Sequence, residues 1–134
     1  MLDTNILIYL IKRRPPEIAE RVGELPRNDR LCMSFVTYTE LLKGAERSSR
    51  KPDMLLRLDN LVRQIPVSYP SNARICRHYA EQFTRLQKAG TPIGADDLWI
   101  ACHALAEGAT IVTHNLREFE RIEGLPVQSW VAVV

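Results

Sequence analysis

A few of the sixteen Asp and Glu residues stand where a solvated surface acid would not. Asp3 lies between Met1-Leu2 and the apolar run Ile6-Leu7-Ile8-Tyr9-Leu10-Ile11, so partial burial is expected. It falls at the carboxyl end of a short strand, where α/β folds place their sites. The same position suits the N-cap of the helix that follows. Glu40 shares a helix face with Val36 and Gly44 rather than with other charges. A glycine there leaves room for a ligand or another backbone. Thr37 and Glu40 also have the spacing of a capping box, with Thr37 as the cap. Asp97 shares a face with Ile100, Ala101 and Ala104, and a carboxylate on that small apolar seam is expected to point inward. Its neighbour Asp96 is free to point out as a cap, and both acids suit the positive end of a helix. Asn115 and Glu118 follow the apolar run 109–113, again at a carboxyl end. They fit a cap and a first-turn acid as well as a pair of oxygen ligands.

The chemistry that joins these positions is a divalent-cation pocket. Carboxylates gathered in one cleft repel each other unless a cation sits among them. Mg²⁺ or Mn²⁺ takes oxygen ligands, keeps several waters and uses few carboxylates. Two such ions about 3.5–4 Å apart activate water and stabilise the leaving oxygen of a phosphodiester. No histidine is needed as base. His78, His103 and His114 have no metal-binding spacing; the first two read as ordinary helix residues, and His114 falls near the proposed site.

The elements that must position these groups alternate between strand and helix. Prolines cut the chain into short segments. Residues 31–36 and 109–113 read as buried strands, 65–69 and 125–128 as short ones, and 1–3 as a minimal first strand. Ile75, Tyr79, Phe83 and Leu86 form one stripe of a helix over 71–89, capped by Ser71 and stopped by Gly90. Further helices are expected over 37–48, 52–65 and 95–107. The helix over 52–65 turns Leu55, Leu58, Leu61 or Val62, and Ile65 inward. The expectation is an α/β three-layer fold, a short and mainly parallel sheet flanked by helices, in one domain over 1–134.

Composition narrows the classes. With 134 residues, 46% hydrophobic and 25% charged, the chain is an ordinary globular domain rather than a disordered or low-complexity one. A net charge of +2 is too small to hold duplex DNA by bulk charge alone. Cys32, Cys76 and Cys102 fit neither a zinc site nor a disulfide framework and read as buried free thiols of a reducing compartment. Met1-Leu2-Asp3 lacks the positive charge of a signal peptide, and no run of ~18 apolar residues would span a membrane. A cytoplasmic location is expected. A glycine-rich phosphate loop is absent from the sequence.

Four motifs carry a family resemblance: Leu2-Asp3-Thr4-Asn5; Ser34-x-x-Thr37-x-x-Glu40-Leu41; Gly94-x-x-Asp97-x-x-Ile100-Ala101; and Ile111-Val112-Thr113-x-Asn115-x-x-Glu118-Phe119. In this order and over residues 2–119 they resemble the PIN-domain ribonucleases, and more narrowly the VapC toxins of type II toxin–antitoxin pairs. The resemblance implies an Mg²⁺- or Mn²⁺-dependent endoribonuclease with Asp3, Glu40, Asp97 and Glu118 as catalytic acids. Asp3, Asp97, Glu40, Asn115 and Glu118 would be the metal set. Many relatives carry Asp at position 115, so Asn115 is a departure that removes one charge, and Glu118 can supply it. Thr4, Asn5, Ser34, Thr37 and Thr113 would orient the carboxylates.

The basic groups are Lys12-Arg13-Arg14, Arg27 to Arg30, and Lys43, Arg47, Arg50 and Lys51. Those of the last group lie on or just after the helix that carries Glu40, and are expected to guide an RNA backbone toward the metal. The resemblance implies tRNA as substrate, cut in or near the anticodon loop, and the initiator tRNA in particular. It also implies a small VapB-like antitoxin and a homodimer, with 52–65, 71–89, Met54 and Tyr69 as surfaces for them. The rival reading is a PIN-like module that binds RNA or a partner without cutting it, which Asn115 favours.

Overall fold

Every strand among the described residues of this computed structural model is short. Residues 1–26 and 28–130 are described; Arg27 of the second basic group lies outside them. β1 (Met33–Ser34) pairs in parallel with β2 (Val67–Ser68), and β3 (Ile111–Val112) pairs in parallel with β4 (Val127–Gln128). Residues 1–3 join the two pairs. Leu2 N donates to Cys32 O at 2.8 Å, Asp3 N donates to Val112 O at 2.8 Å, and Val112 N donates to Met1 O at 2.8 Å. The result is a narrow parallel sheet with the Leu2 segment at its centre.

Such strands make few ladder bonds, each with a net contribution of about 1 kcal/mol. The sheet therefore depends on the layers that cover it. On one side Leu2, Ile6, Leu7, Ile18, Met33 and Ile65 are buried together. On the other, Ile75, Leu86, Ile100, Ile111 and Phe119 are buried with Leu98, Ala101, Cys102 and Ala104. Each such side chain contributes about 1.5–3 kcal/mol on full burial, so the helices outweigh the ladder.

The helices are α1 (Thr4–Lys12), α2 (Pro16–Glu24), α3 (Phe35–Arg47), α4 (Lys51–Gln64), α5 (Arg74–Lys88), α6 (Ala95–Glu107) and α7 (Leu116–Phe119). α6 matches its expected span, and Gly108 ends it in the left-handed region at φ 66°. α2 lies where Pro15-Pro16 reads as a break in the sequence. Pro16 instead occupies the first helical position, where its missing N–H has no intrahelical role.

Several local expectations are corrected. The strand over 31–36 is only two residues long, because Ser34 accepts from Val36 N at 3.2 Å and starts α3 at Phe35. Ser34, not Thr37, is thus the cap, and Thr37 is fully buried inside the helix. Ser71 does not cap α5; it donates from N and Oγ to Glu107, each at 3.0 Å, while Asn72 Oδ1 accepts from Arg74 N at 2.8 Å. On α5 the inward stripe is rotated from the expected one: Gln82 is buried and Phe83 is 46% exposed. Gln82 Oε1 is satisfied by Arg85 at 2.7 Å, so its burial leaves that oxygen paired. Among the cysteines only Cys102 is buried; Cys32 is half-buried, and Cys76 lies exposed on α5.

Candidate active site

Each acid reaches the site from a different element. Asp3 follows the central Leu2 segment and caps α1, Oδ1 accepting from Thr4 N at 2.8 Å. Its Oδ2 accepts from Thr113 Oγ1 at 2.8 Å, just past β3. The cap and the buried site acid are therefore one and the same residue, only 3% exposed. Thr113 Oγ1 in turn accepts from Asn115 N at 2.9 Å, which sets the path of the chain into α7.

Glu40 comes from α3. Its Oε1 accepts from Thr4 Oγ1 at 2.7 Å, and Thr37 Oγ1 lies 3.2 Å from the same hydroxyl. A hydroxyl has one proton. With that of Thr4 committed to the carboxylate, the hydroxyl of Thr37 donates to Thr4. Two threonines thus aim Glu40, and the capping-box geometry is not used.

Asp97 comes from the first turn of α6 and is half-buried. Its carboxyl is pushed up to about 7, first by burial, then by a hydrogen bond with Glu118, then by the charges of Asp3, Glu118 and Glu40. Burial also raises Asp3, against the stabilising bonds from Thr113 and Thr4, and the charge of Glu118 adds to the rise. Burial likewise raises Glu40; the bond from Thr4 opposes it, and the charges of Asp96 and Asp3 add to it. Asp3, Glu40, Asp97 and Glu118 consequently lie within electrostatic reach of one another.

The donor set tests the expected cation. It is all oxygen, from four carboxylates and the Asn115 amide, which fits a hard dication rather than zinc or copper. Asn115 stands at the N-cap of α7 but makes no side-chain cap bond, so its amide is not spent on the helix. Among the described residues no three His, Cys, Asp or Glu side chains form a ready-made metal cage. With no positive charge among them the carboxylates disfavour one another's ionised form, and the Asp97 carboxyl is held above the usual carboxylate range.

The remaining positions divide. Ser34 is buried and touches α6 rather than an acid: its Oγ lies 2.8 Å from His103 Nδ1. His103 is therefore not an ordinary helix residue. It is fully buried and ties the cap of α3 to the helix that bears Asp97. The signal was available, since a histidine between Cys102 and Ala104 on an apolar helix needs a partner. Asn5 is exposed on α1. His114 is exposed and packs edge-on against Tyr9.

The basic residues do not act as one cluster. Lys43 borders a cavity of about 460 Å³ together with Glu40, Asp96, Phe35 and Trp99. Lys51 is paired with Glu46 at 2.9 Å. Arg47 and Arg50 are exposed. A second cavity of about 530 Å³ lies on the other side of Glu40, lined by Ile8, Leu41, Gly44, Met54 and Leu58. Gly44 faces open space there, as its lack of a side chain suggested. Met54 is half-buried against this cavity, whereas Tyr69 is 61% exposed.

Comparison with known proteins places this geometry. The PIN domain family matches residues 1–125. Ribonuclease VapC1 of Haemophilus influenzae (strain R2866) is 52% identical over 130 residues, covering 97% of this chain and 96% of the relative. The tRNA(fMet)-specific endonuclease VapC of Salmonella typhimurium (strain LT2) is 39% identical over 131 residues, covering 97% and 96%. The structure of VapBC-1 from nontypeable Haemophilus influenzae superposes with a TM-score of 0.90 at 52% identity, covering 97% of this chain and 96% of that one. The motifs, the parallel sheet and these relatives agree, and the chain belongs to the PIN-domain family, within its VapC ribonucleases.

Proposed function

We propose that this chain is the toxin of a VapBC-type pair, an Mg²⁺- or Mn²⁺-dependent endoribonuclease acting as one PIN-like unit over 1–134. The observation that supports this reading is that Asp3, Glu40 and Asp97 come from different elements into electrostatic reach of one another, with Thr113 and Thr4 hydroxyls fixing the first two. Asp3, Asp97, Glu40, Glu118 and Asn115 would hold the cation. When bound, the ion supplies a Lewis acid and lowers the pKa of a coordinated water.

The chain's own groups prepare that chemistry. Thr113 and the Thr4 amide fix both oxygens of Asp3. The Thr4 hydroxyl fixes Glu40. The Asp97 carboxyl, held above the usual carboxylate range by burial and by the neighbouring acids, would give up its proton in favour of a cation. Lys43 stands beside Glu40, where it can receive a phosphate of the bound strand.

Relatives named as tRNA(fMet)-specific endonucleases support tRNA, and the initiator tRNA in particular, as the substrate. The VapBC-1 structure supports a VapB-like antitoxin as inhibitor. A homodimer and a cytoplasmic location complete the reading. Among the described residues no helix is long and apolar enough to cross a membrane.

The test is cleavage of tRNA by the purified chain with Mg²⁺ or Mn²⁺, with and without EDTA, beside Asp3→Asn and Asp97→Asn. Cleavage is expected only for the intact chain with metal. Activity that survives chelation or either substitution removes the metal–carboxylate mechanism. Asn115 in place of a carboxylate favours a second reading, a non-cleaving RNA- or partner-binding module. A well-folded chain that cuts no RNA while binding it establishes that alternative.

A further inference from the structure

The cavity beside Glu40 has a composition that the acids do not explain. Phe35 and Trp99 line it, Lys43 and Asp96 stand with them, and Glu40 belongs both to this cavity and to the acid site. Trp99 is held firmly. Tyr79 stacks against its indole with ring centroids 3.9 Å apart and planes 21° apart, and Tyr79 is itself stacked on Phe83. Phe35 is braced by Tyr69, at 6.3 Å and 26°, and by the edge of His103, at 5.4 Å and 67°. Rings fixed in this way lose little freedom on meeting a planar ligand. Aromatic rings beside a cation are the means by which proteins hold single-stranded nucleic acid, since every base has a π face and every nucleotide a phosphate.

We propose that this cavity is a nucleobase subsite. It takes an unpaired base next to the phosphodiester at the acids, stacked on Trp99 with Phe35 alongside, while Lys43 meets the adjoining phosphate. The proposal rests on the RNA-cleaving reading above and adds to it a specificity-determining residue, Trp99. The cavity's volume of about 460 Å³ admits one base with its sugar. Continuity with Glu40 argues for a piece of the substrate as its occupant. A second copy of the chain is the competing occupant.

The chain has two tryptophans, Trp99 and Trp130. A Trp130→Phe chain therefore reports on Trp99 alone, and Asp3→Asn in the same chain halts cleavage. Titration with an octaadenylate RNA in Mg²⁺ is expected to quench the fluorescence. An octamer of the same backbone without bases is expected to bind roughly tenfold more weakly, the scale of one lost stacking contact. Read by fluorescence anisotropy of end-labelled octamers, since these chains hold no tryptophan, Trp99→Leu abolishes that difference between the two octamers, whereas Trp99→Phe keeps most of it. Lys43→Ala weakens both octamers alike and lowers the salt dependence.

Equal affinity for the two octamers in the presence of Trp99, or no quenching on binding, overturns the subsite. So does a Trp99→Leu chain that loses its dimer by sedimentation, because the face then belongs to a second copy. Melting curves of Trp99→Leu and Trp99→Phe show whether each variant is folded. Cleavage of tRNA by the unmodified chain is measured in parallel. Cleavage without quenching sinks the subsite alone; quenching without cleavage upholds the subsite and sinks the nuclease reading.

Discussion

The Thr113 hydroxyl donates to Asp3 Oδ2 at 2.8 Å across 110 positions of sequence. This bond closes the site, because it joins the end of β3 to the cap of α1 and leaves the Asp3 carboxylate one defined orientation. Both residues are buried, so neither bond partner is replaced by water if the other is removed.

Thr113→Val keeps the shape of the side chain and removes the donor. Leaving a buried carboxylate oxygen unpaired costs about 1–3 kcal/mol. Urea unfolding is expected to show a loss on that scale, and tRNA cleavage is expected to fall with it. Thr113→Ser retains the hydroxyl and should lose less of both. Wild-type stability and cleavage in Thr113→Val would show that the bond is dispensable.

The acids predict the sign of a pH effect. The Asp97 carboxyl is pushed up to about 7 from its ordinary 3.8, so the folded chain holds a proton that the unfolded chain has released. Stability then falls as pH rises through this window, and the raised Asp3 and Glu40 act in the same direction. His103 acts oppositely, since burial lowers its pKa and stability grows as pH rises through the ordinary histidine range. Comparison with Asp97→Asn isolates the carboxylate. Its melting temperature should exceed that of the unsubstituted chain at pH 8 by more than at pH 5, in EDTA. Mg²⁺ or Mn²⁺ should raise the melting temperature of the unsubstituted chain more at pH 8 than at pH 5. A cation effect independent of pH would argue against competition between metal and proton.

The Ser34–His103 bond ties two helices that each bring an acid to the site. His103→Leu is expected to destabilise by about 1–3 kcal/mol, through the buried Ser34 hydroxyl that it strands. Ser34→Ala also removes the α3 cap, which alone costs about 1 kcal/mol. A double-mutant cycle in urea should return a coupling of at least about 0.5 kcal/mol. Strict additivity of the two changes would mean that the contact contributes nothing to holding α3 against α6.

Much of the site was legible because its groups break local patterns. Asp3 stands between apolar segments, Asp97 rides a small-residue seam, and Gly44 sits one turn beyond Glu40. Periodicity placed α6 to the residue, since a glycine follows its last turn and carboxylates fill its first. Periodicity failed at Gln82 and Phe83, where Arg85 pairs with the inward glutamine and the aromatic ring is left to stack on Tyr79 outside. It failed again at Ser34, whose hydroxyl turned a strand into a helix cap.

Residue types along the chain were enough to pick out the acids of the candidate site and to suggest an oxygen-loving ion for them, because charge and apolar context are local properties. Which hydroxyl aims which carboxylate, and which lysine faces the cleft, depended on contacts such as Thr4 with Glu40, Thr113 with Asp3 and Ser34 with His103. Those pairs lie 36, 110 and 69 positions apart. No spacing rule reaches so far; only the packing of helices on a narrow parallel sheet brings such groups within hydrogen-bonding distance.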